Sequence, residues 1–143
     1  MRIIIPIIII VSVAGYFAQE QLKNPNEVLV QQGNALEKYD AIQVSNPKSS
    51  SLVVSPILVE GIARGHWFPE GDFLIKIQNA KDEELGAGIA YAMKGGTEEE
   101  FIPFEAMVSF SESFVKEGVI ILKKSNPSGL LELDDELRVP VRF

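Results

Sequence analysis

From Ser55 to Ile77 apolar and polar residues exchange places with a period of two on either side of a short aromatic loop. Ile57, Val59, Gly61 and Ala63 alternate with Leu58, Glu60, Ile62 and Arg64, and Phe73, Ile75 and Ile77 alternate with Leu74, Lys76 and Gln78. A strand sends successive side chains to opposite faces, so this stretch predicts two adjacent strands that share one buried face. Between them, Gly65-His66-Trp67-Phe68-Pro69-Glu70-Gly71 gathers the single Trp and the single His of the chain between two glycines. This loop is a candidate recognition element.

The same alternation recurs along the chain. Ile42 and Val44 flank Gln43 in a short first strand, and Leu52-Val53-Val54 resumes extended structure after Pro47. Pro47 and Pro56 confine this region to a sheet edge, because proline has no N–H to give to a ladder. Leu85 to Met93 is a Gly/Ala-rich strand with Ile89, Tyr91 and Met93 on one face, and its small residues predict close packing. Phe104, Ala106, Val108 and Phe110 alternate with Glu105, Met107 and Ser109. Val119 to Leu122 is continuously apolar, as a strand covered on both faces would be. Leu137, Val139, Val141 and Phe143 close the chain in alternation with Arg138, Pro140 and Arg142.

About seven strands, a turn signal at each junction and no helical period predict an all-β protein, an immunoglobulin-like antiparallel β-sandwich over residues 41–143; a small barrel is the alternative. The parity of each strand predicts an interior of Ile57, Val59, Phe73, Ile75, Phe104, Val108, Leu122, Val139 and Val141. Counting the strands up and down, the loops Gly65–Gly71, Lys94–Phe101 and Ser125–Asp135 emerge at one end, where the first strand also begins. The expected binding residues at that end are Arg64, His66, Trp67, Phe68, Glu70, Asn126 and Ser128. In the alternative, Trp67 turns inward to plug the core and Arg64 pairs with an acid.

Ahead of the strands, Met1-Arg2 precedes an apolar run from Ile3 to Ala18, the charge-then-hydrophobe order of an export signal. The run falls just short of the ~20 residues that span a bilayer comfortably, which leaves a cleaved signal peptide and an uncleaved anchor both open over residues 1–18. Membrane attachment, where it occurs, is expected through residues 3–18. Residues 19–40 are polar, carry Asn24-Pro25-Asn26 and Gly33-Asn34, and predict a tether with one helical turn near Ala35 to Tyr39.

Charge and residue usage narrow the chemistry. A formal charge of -7 in 143 residues argues against nucleic acid as a partner, since neutralising phosphates needs clustered Lys and Arg. With no Cys and one His, thiol nucleophiles, Cys-based metal sites and the usual Ser-His pairs are excluded, and no metal or cofactor is expected. The acids fall in three clusters, Asp82-Glu83-Glu84, Glu98-Glu99-Glu100 and Asp134-Asp135-Glu136, all at turn positions where solvated charge is the ordinary reading. Paired carboxylates also serve glycoside hydrolysis, so a carboxylate-based cell-wall hydrolase stays as an alternative.

Several ordered pieces resemble one family. Ser55-Pro56 with Val59 and Gly61, Ala63-Arg64-Gly65 with Trp67-Phe68 and Glu70, then Phe73, Ile102-Pro103-Phe104, Ser125-Asn126-Pro127-Ser128-Gly129 and Val139-Pro140-Val141 are similar to Gmad2, an immunoglobulin-like domain associated with bacterial spore germination proteins. The resemblance implies a non-enzymatic, exported accessory domain of the bacterial cell envelope, and it supplies no ligand. It does not carry a role in spores, because no second germination-type domain accompanies it here. Members of this kind are often lipoproteins, yet in Val13-Ala14-Gly15-Tyr16 a tyrosine stands where the lipid-bearing cysteine would be. The expectation is therefore a non-catalytic, membrane-tethered module on the extracytoplasmic side that binds an envelope polymer or a membrane-proximal protein. A protease inhibitor presenting a sandwich loop is the alternative.

Overall fold

The computed structural model describes residues 33–143. Eight strands follow one another: β1 (Ile42–Asn46), β2 (Ser51–Leu52), β3 (Ile57–Arg64), β4 (Asp72–Asn79), β5 (Glu84–Ala92), β6 (Phe101–Val108), β7 (Glu117–Lys123) and β8 (Glu136–Arg142). Each forms where the sequence alternates. In β4 the buried positions are Phe73, Ile75, Ile77 and Asn79, and in β6 they are Ile102, Phe104, Ala106 and Val108. Asn79 is the one polar member of this set. Its Oδ1 accepts from the Lys81 and Glu83 amides, and its Nδ2 donates to Ser113, so the β4–β5 turn closes around a satisfied buried carboxamide.

The hydrogen-bonded order is β1-β3-β6-β5-β4-β7-β8-β2. At the β5–β6 junction only Tyr91–Glu105 and Ala92–Phe104 are paired, so the sheet folds over there into two layers. Phe73 of β4 meets Phe104 of β6 edge to face across the interior, ring centroids 4.9 Å apart. One apolar cluster joins Val59, Ala63 and Val108 from one layer with Ile75, Ile120, Leu122 and Val139 from the other. Facing layers of β1-β3-β6 and β4-β7-β8, with β5 passing between them and the first strand divided between the two, are the immunoglobulin-like arrangement. Of the interior predicted by parity, only Ile57 stays half exposed, and it still packs against the cluster.

The division of the first strand gives eight strands where about seven are expected. After Asn46 the chain leaves β3 and crosses to β8, where β2 pairs in parallel at Ser51–Val141 and Leu52–Arg142. Both short strands are sheet edges, as Pro47 and Pro56 require. The close packing expected of β5 lies at Gly86, where a Cβ would collide with the Ser109 carbonyl as the chain leaving β6 passes over. In β7, Ile120 and Leu122 enter the core, while Ile121 on the opposite face is only 4% exposed, held in register between Lys76 and Arg138. Register sets those two long side chains on either side of it, where aliphatic stems can cover the second face.

The last part of the expected tether, residues 33–40, is in contact with the sandwich. The expected helical turn forms, with the Lys38 amide on the Asn34 carbonyl and the Ile42 amide on the Lys38 carbonyl, but it is docked on the domain. Asn34 Oδ1 accepts from the Arg138 amide at 2.8 Å and its Nδ2 donates to the Glu136 carbonyl at 2.9 Å. One carboxamide thus does for the free edge of β8 what the peptide group of a neighbouring strand would do. Gly33 sits so close to Arg138 and Pro140 that a Cβ would collide with both. Lys38 binds Asp135 at 2.8 Å, and this hydrogen bond raises the lysine above its ordinary pKa against a smaller opposing effect of burial. Residues 33–40 therefore pack against the strands that follow. The expected signal or anchor, and the tether up to residue 32, lie outside the described residues.

Candidate recognition surface at the loop end

Three loops meet at one end of the sandwich, as the strand count predicts. The Gly65 and His66 amides donate to the Glu100 and Glu98 carbonyls, both at 3.0 Å, and the Ser125 amide donates to the Trp67 carbonyl at 3.0 Å. The β3–β4, β5–β6 and β7–β8 connections are therefore tied to one another through their backbones. Gly65 permits this approach, because a Cβ there would collide with the Thr97 carbonyl. The first strand begins at the same end, where the Asp40 carbonyl accepts from Arg64 Nε.

The aromatic loop is not a display surface. Gly65–Trp67 coil into a 3-10 turn that carries Trp67 to full burial and Phe68 to 4% exposure. Phe68 stacks at a tilt on Phe73, centroids 5.7 Å apart. Trp67 and Phe68, expected among the binding residues, are a plug for the open end of the core instead. The physical reason is area: an indole and a phenyl ring together cover more apolar surface than the short loops around them. The 3-10 turn at Gly65–Trp67 is not the extended segment that a protease inhibitor would present there.

Among the described residues Arg64 does not pair with an acid. Its Nε and Nη1 donate to the carbonyls of Asp40 and Glu99, and its guanidinium lies 4.2 Å from the centroid of the Phe101 ring. It clamps the incoming chain and the β5–β6 loop to β3, with the ring face beneath it. Asn126 and Ser128 are also occupied within their own loop. Asn126 Nδ2 donates to the Leu130 carbonyl and to Asp134 Oδ1, at 2.8 and 2.7 Å; Ser128 Oγ donates to Asn126 Oδ1 and accepts from the Leu130 amide. These bonds shape the long β7–β8 connection.

What remains on offer at this end is Glu70, half-buried His66, the exposed acids Glu98 to Glu100, and three leucines that the alternation does not mark. Leu130, Leu131 and Leu133 are 51%, 84% and 46% exposed on a second 3-10 turn held up by Asn126 and Ser128. An apolar run inside a turn cluster, Gly129-Leu130-Leu131-Glu132-Leu133, is the signal that could have found them. Of the three acid clusters, two lie at this end and the third, Asp82 to Glu84, lies on the β4–β5 turn at the other. Among the described residues no three His, Asp or Glu side chains come together in a way that would hold a metal ion.

The strand order, the split first strand and the plugged loop end define an immunoglobulin-like sandwich that positions loops. The chain belongs to the Gmad2 family, the immunoglobulin-like domain of bacterial spore germination, whose match covers residues 41–129. The match stops ahead of β8, so the closing strand with its Val139-Pro140-Val141 segment, and the docked Asn34, lie outside it. Among curated proteins and solved structures, none matches the chain.

Proposed function

We propose that this protein is a non-catalytic, exported module of the bacterial cell envelope, tethered to the membrane by its N-terminal apolar run and binding an envelope polymer or membrane-proximal protein through the loop end. The observation that carries the reading is that three loops and the start of the first strand share one end of the sandwich. A tether ahead of Gly33 would keep that end, with its exposed leucines and acids, within reach of the membrane and of whatever lies against it. The family match supports a module that binds rather than one that catalyses, and the Met1-Arg2 start of the apolar run supports export.

The test uses the full chain in a bacterial host. Protease added to spheroplasts should remove a C-terminal tag while a cytoplasmic marker survives, and the tagged protein should stay with washed membranes. A protected tag overturns export, and a tag released into the medium overturns tethering. For the loop end, replacing Leu131 and Leu133 by Ser should leave stability within about 0.5 kcal/mol, as expected for exposed positions. Co-sedimentation with purified peptidoglycan, or crosslinking to a membrane neighbour, should fall in the same variant. Retained sedimentation and an unchanged crosslink pattern overturn the loop end as the contact.

A further inference from the structure

Away from the loop end, the outer face of β3, β6 and β5 carries an arrangement that a solvated face would avoid. Register sets Ile62 opposite Pro103, Glu60 opposite Glu105, and Leu58 opposite Met107. Tyr91 of β5 continues the middle row beside Glu105. Tyr91, Met93 and Met107 are each about 60% exposed and Ile89 is 40% exposed, an unusual density of large apolar side chains for one open face. In their midst two carboxylates face each other directly across neighbouring strands, a pairing that opposes folding. Among the described residues neither carboxylate has an ion-pair partner. The base on the same face of β3, Arg64, is committed to Asp40, Glu99 and Phe101.

We propose that this face is a docking site for a segment of another protein that presents a lysine or arginine between apolar side chains. The cation would sit over Glu60 and Glu105 with Tyr91 at the end of their row, relieving their repulsion, while its apolar neighbours cover Met107 on one side and Met93 on the other. A groove of about 360 Å³ beside the acids, lined by Gln43, Glu60, Ile62, Met93 and Pro103, gives such a side chain a place to lie. Charge complementarity selects this occupant over a second copy of the chain, which carries a net charge of -7 and would be repelled. Methionines suit the role because their side chains adapt to the shape of what covers them.

The probe is a short capped peptide of alternating lysine and valine, with its glutamate-for-lysine counterpart as the control, titrated against the full chain in mild non-ionic detergent. Glu60→Gln with Glu105→Gln should weaken lysine-peptide binding by about tenfold or more, the size of effect a close charge pair carries. Glu98→Gln with Glu99→Gln, which removes equal charge at the loop end, should change it by less than about twofold. Met107→Ser and Tyr91→Ser should each weaken binding while the fold is kept. The face-neutralised variant should also melt above the parent, a gain that a purely structural pair of acids would not show. Equal losses in both charge variants mean general attraction to an acidic protein and overturn the proposal, as does a face-neutralised variant that binds like the parent. A chain that self-associates and so shields Met107 and Tyr91 without the peptide overturns the choice of occupant.

Discussion

The two outer faces of this sandwich are built from the same alternation and end in opposite states. On β4, β7 and β8 the outward charges are of both signs, Lys76 pairs with Glu84 at the start of β5 at 3.6 Å and Arg138 with Glu136 at 3.5 Å, and Ile121 lies in register between Lys76 and Arg138. Asn34 and Gly33 then close the edge of that face along β8. On β3, β6 and β5 two like charges, Glu60 and Glu105, face each other across the strands, the one base, Arg64, is committed to Asp40, Glu99 and Phe101, and the apolar side chains lie open. The difference teaches that a sheet of this fold can be finished as surface on one side and left unfinished on the other. Nothing in strand propensity distinguishes them; only the identity of the cross-strand neighbour does.

Four measurements sharpen or break that contrast. The largest effect is expected at matched apolar positions. Ile121→Ala should cost about 2–4 kcal/mol in urea unfolding, because it empties a covered site. Met107→Ala should stay within about 0.5 kcal/mol. Similar losses at both would erase the distinction between a closed and an open face.

Next in size is the edge of the closed face. Asn34→Ala removes both hydrogen bonds to β8 and should cost about 1–3 kcal/mol, from about 0.5–1.5 kcal/mol for each. Faster amide exchange at Arg138 should accompany it, and an unchanged Arg138 amide would mean that the docked turn contributes nothing to the edge. Smaller still, and opposite in sign on the two faces, are the charge changes. Glu105→Gln should stabilise by a few tenths of a kcal/mol by removing a like-charged neighbour, whereas Glu84→Gln should be neutral or slightly destabilising. A gain of stability from both changes would show that only total charge matters.

A pH-dependent effect belongs to Lys38. Its folded pKa is raised above the ordinary 10.5, chiefly by the hydrogen bond to Asp135. A raised lysine contributes its stability in full below the ordinary value and loses it as pH rises through the folded one. The gap between the parent and Lys38→Met should therefore be at most about 1 kcal/mol, flat from pH 6 to 9, and should close only above about pH 10.5. A gap that narrows already at neutral pH would mean that the lysine holds the turn by something other than its charge.

Much of the framework was legible in the residues because period two is a local property. Phe73, Ile75 and Ile77, or Phe104, Ala106 and Val108, announce a strand and its inner face without reference to anything distant. Val119 to Leu122 announces a strand covered twice, and Pro47 an edge. The gathering of three loops at one end followed from counting alternations. The candidate site was read less well: Asn126 and Ser128 carry the hydrogen bonding of a turn cluster, which the sequence marks, but whether that serves a ligand or the loop itself depends on where Leu130 and Asp134 come to rest.

What the sequence by itself determined is thus the set of strands, the parity of their inner faces, the family and the end at which the loops gather. The tertiary structure alone decided which way Trp67 turns, that Arg64 grips two carbonyls instead of an acid, that Asn34 reaches β8 across 102 residues of chain, and that Glu60 meets Glu105. The reason is the range of the forces involved. Alternation is imposed within a strand by its own geometry, whereas the neighbour of a side chain is fixed by register between strands far apart in sequence, which is settled only when the whole core has packed.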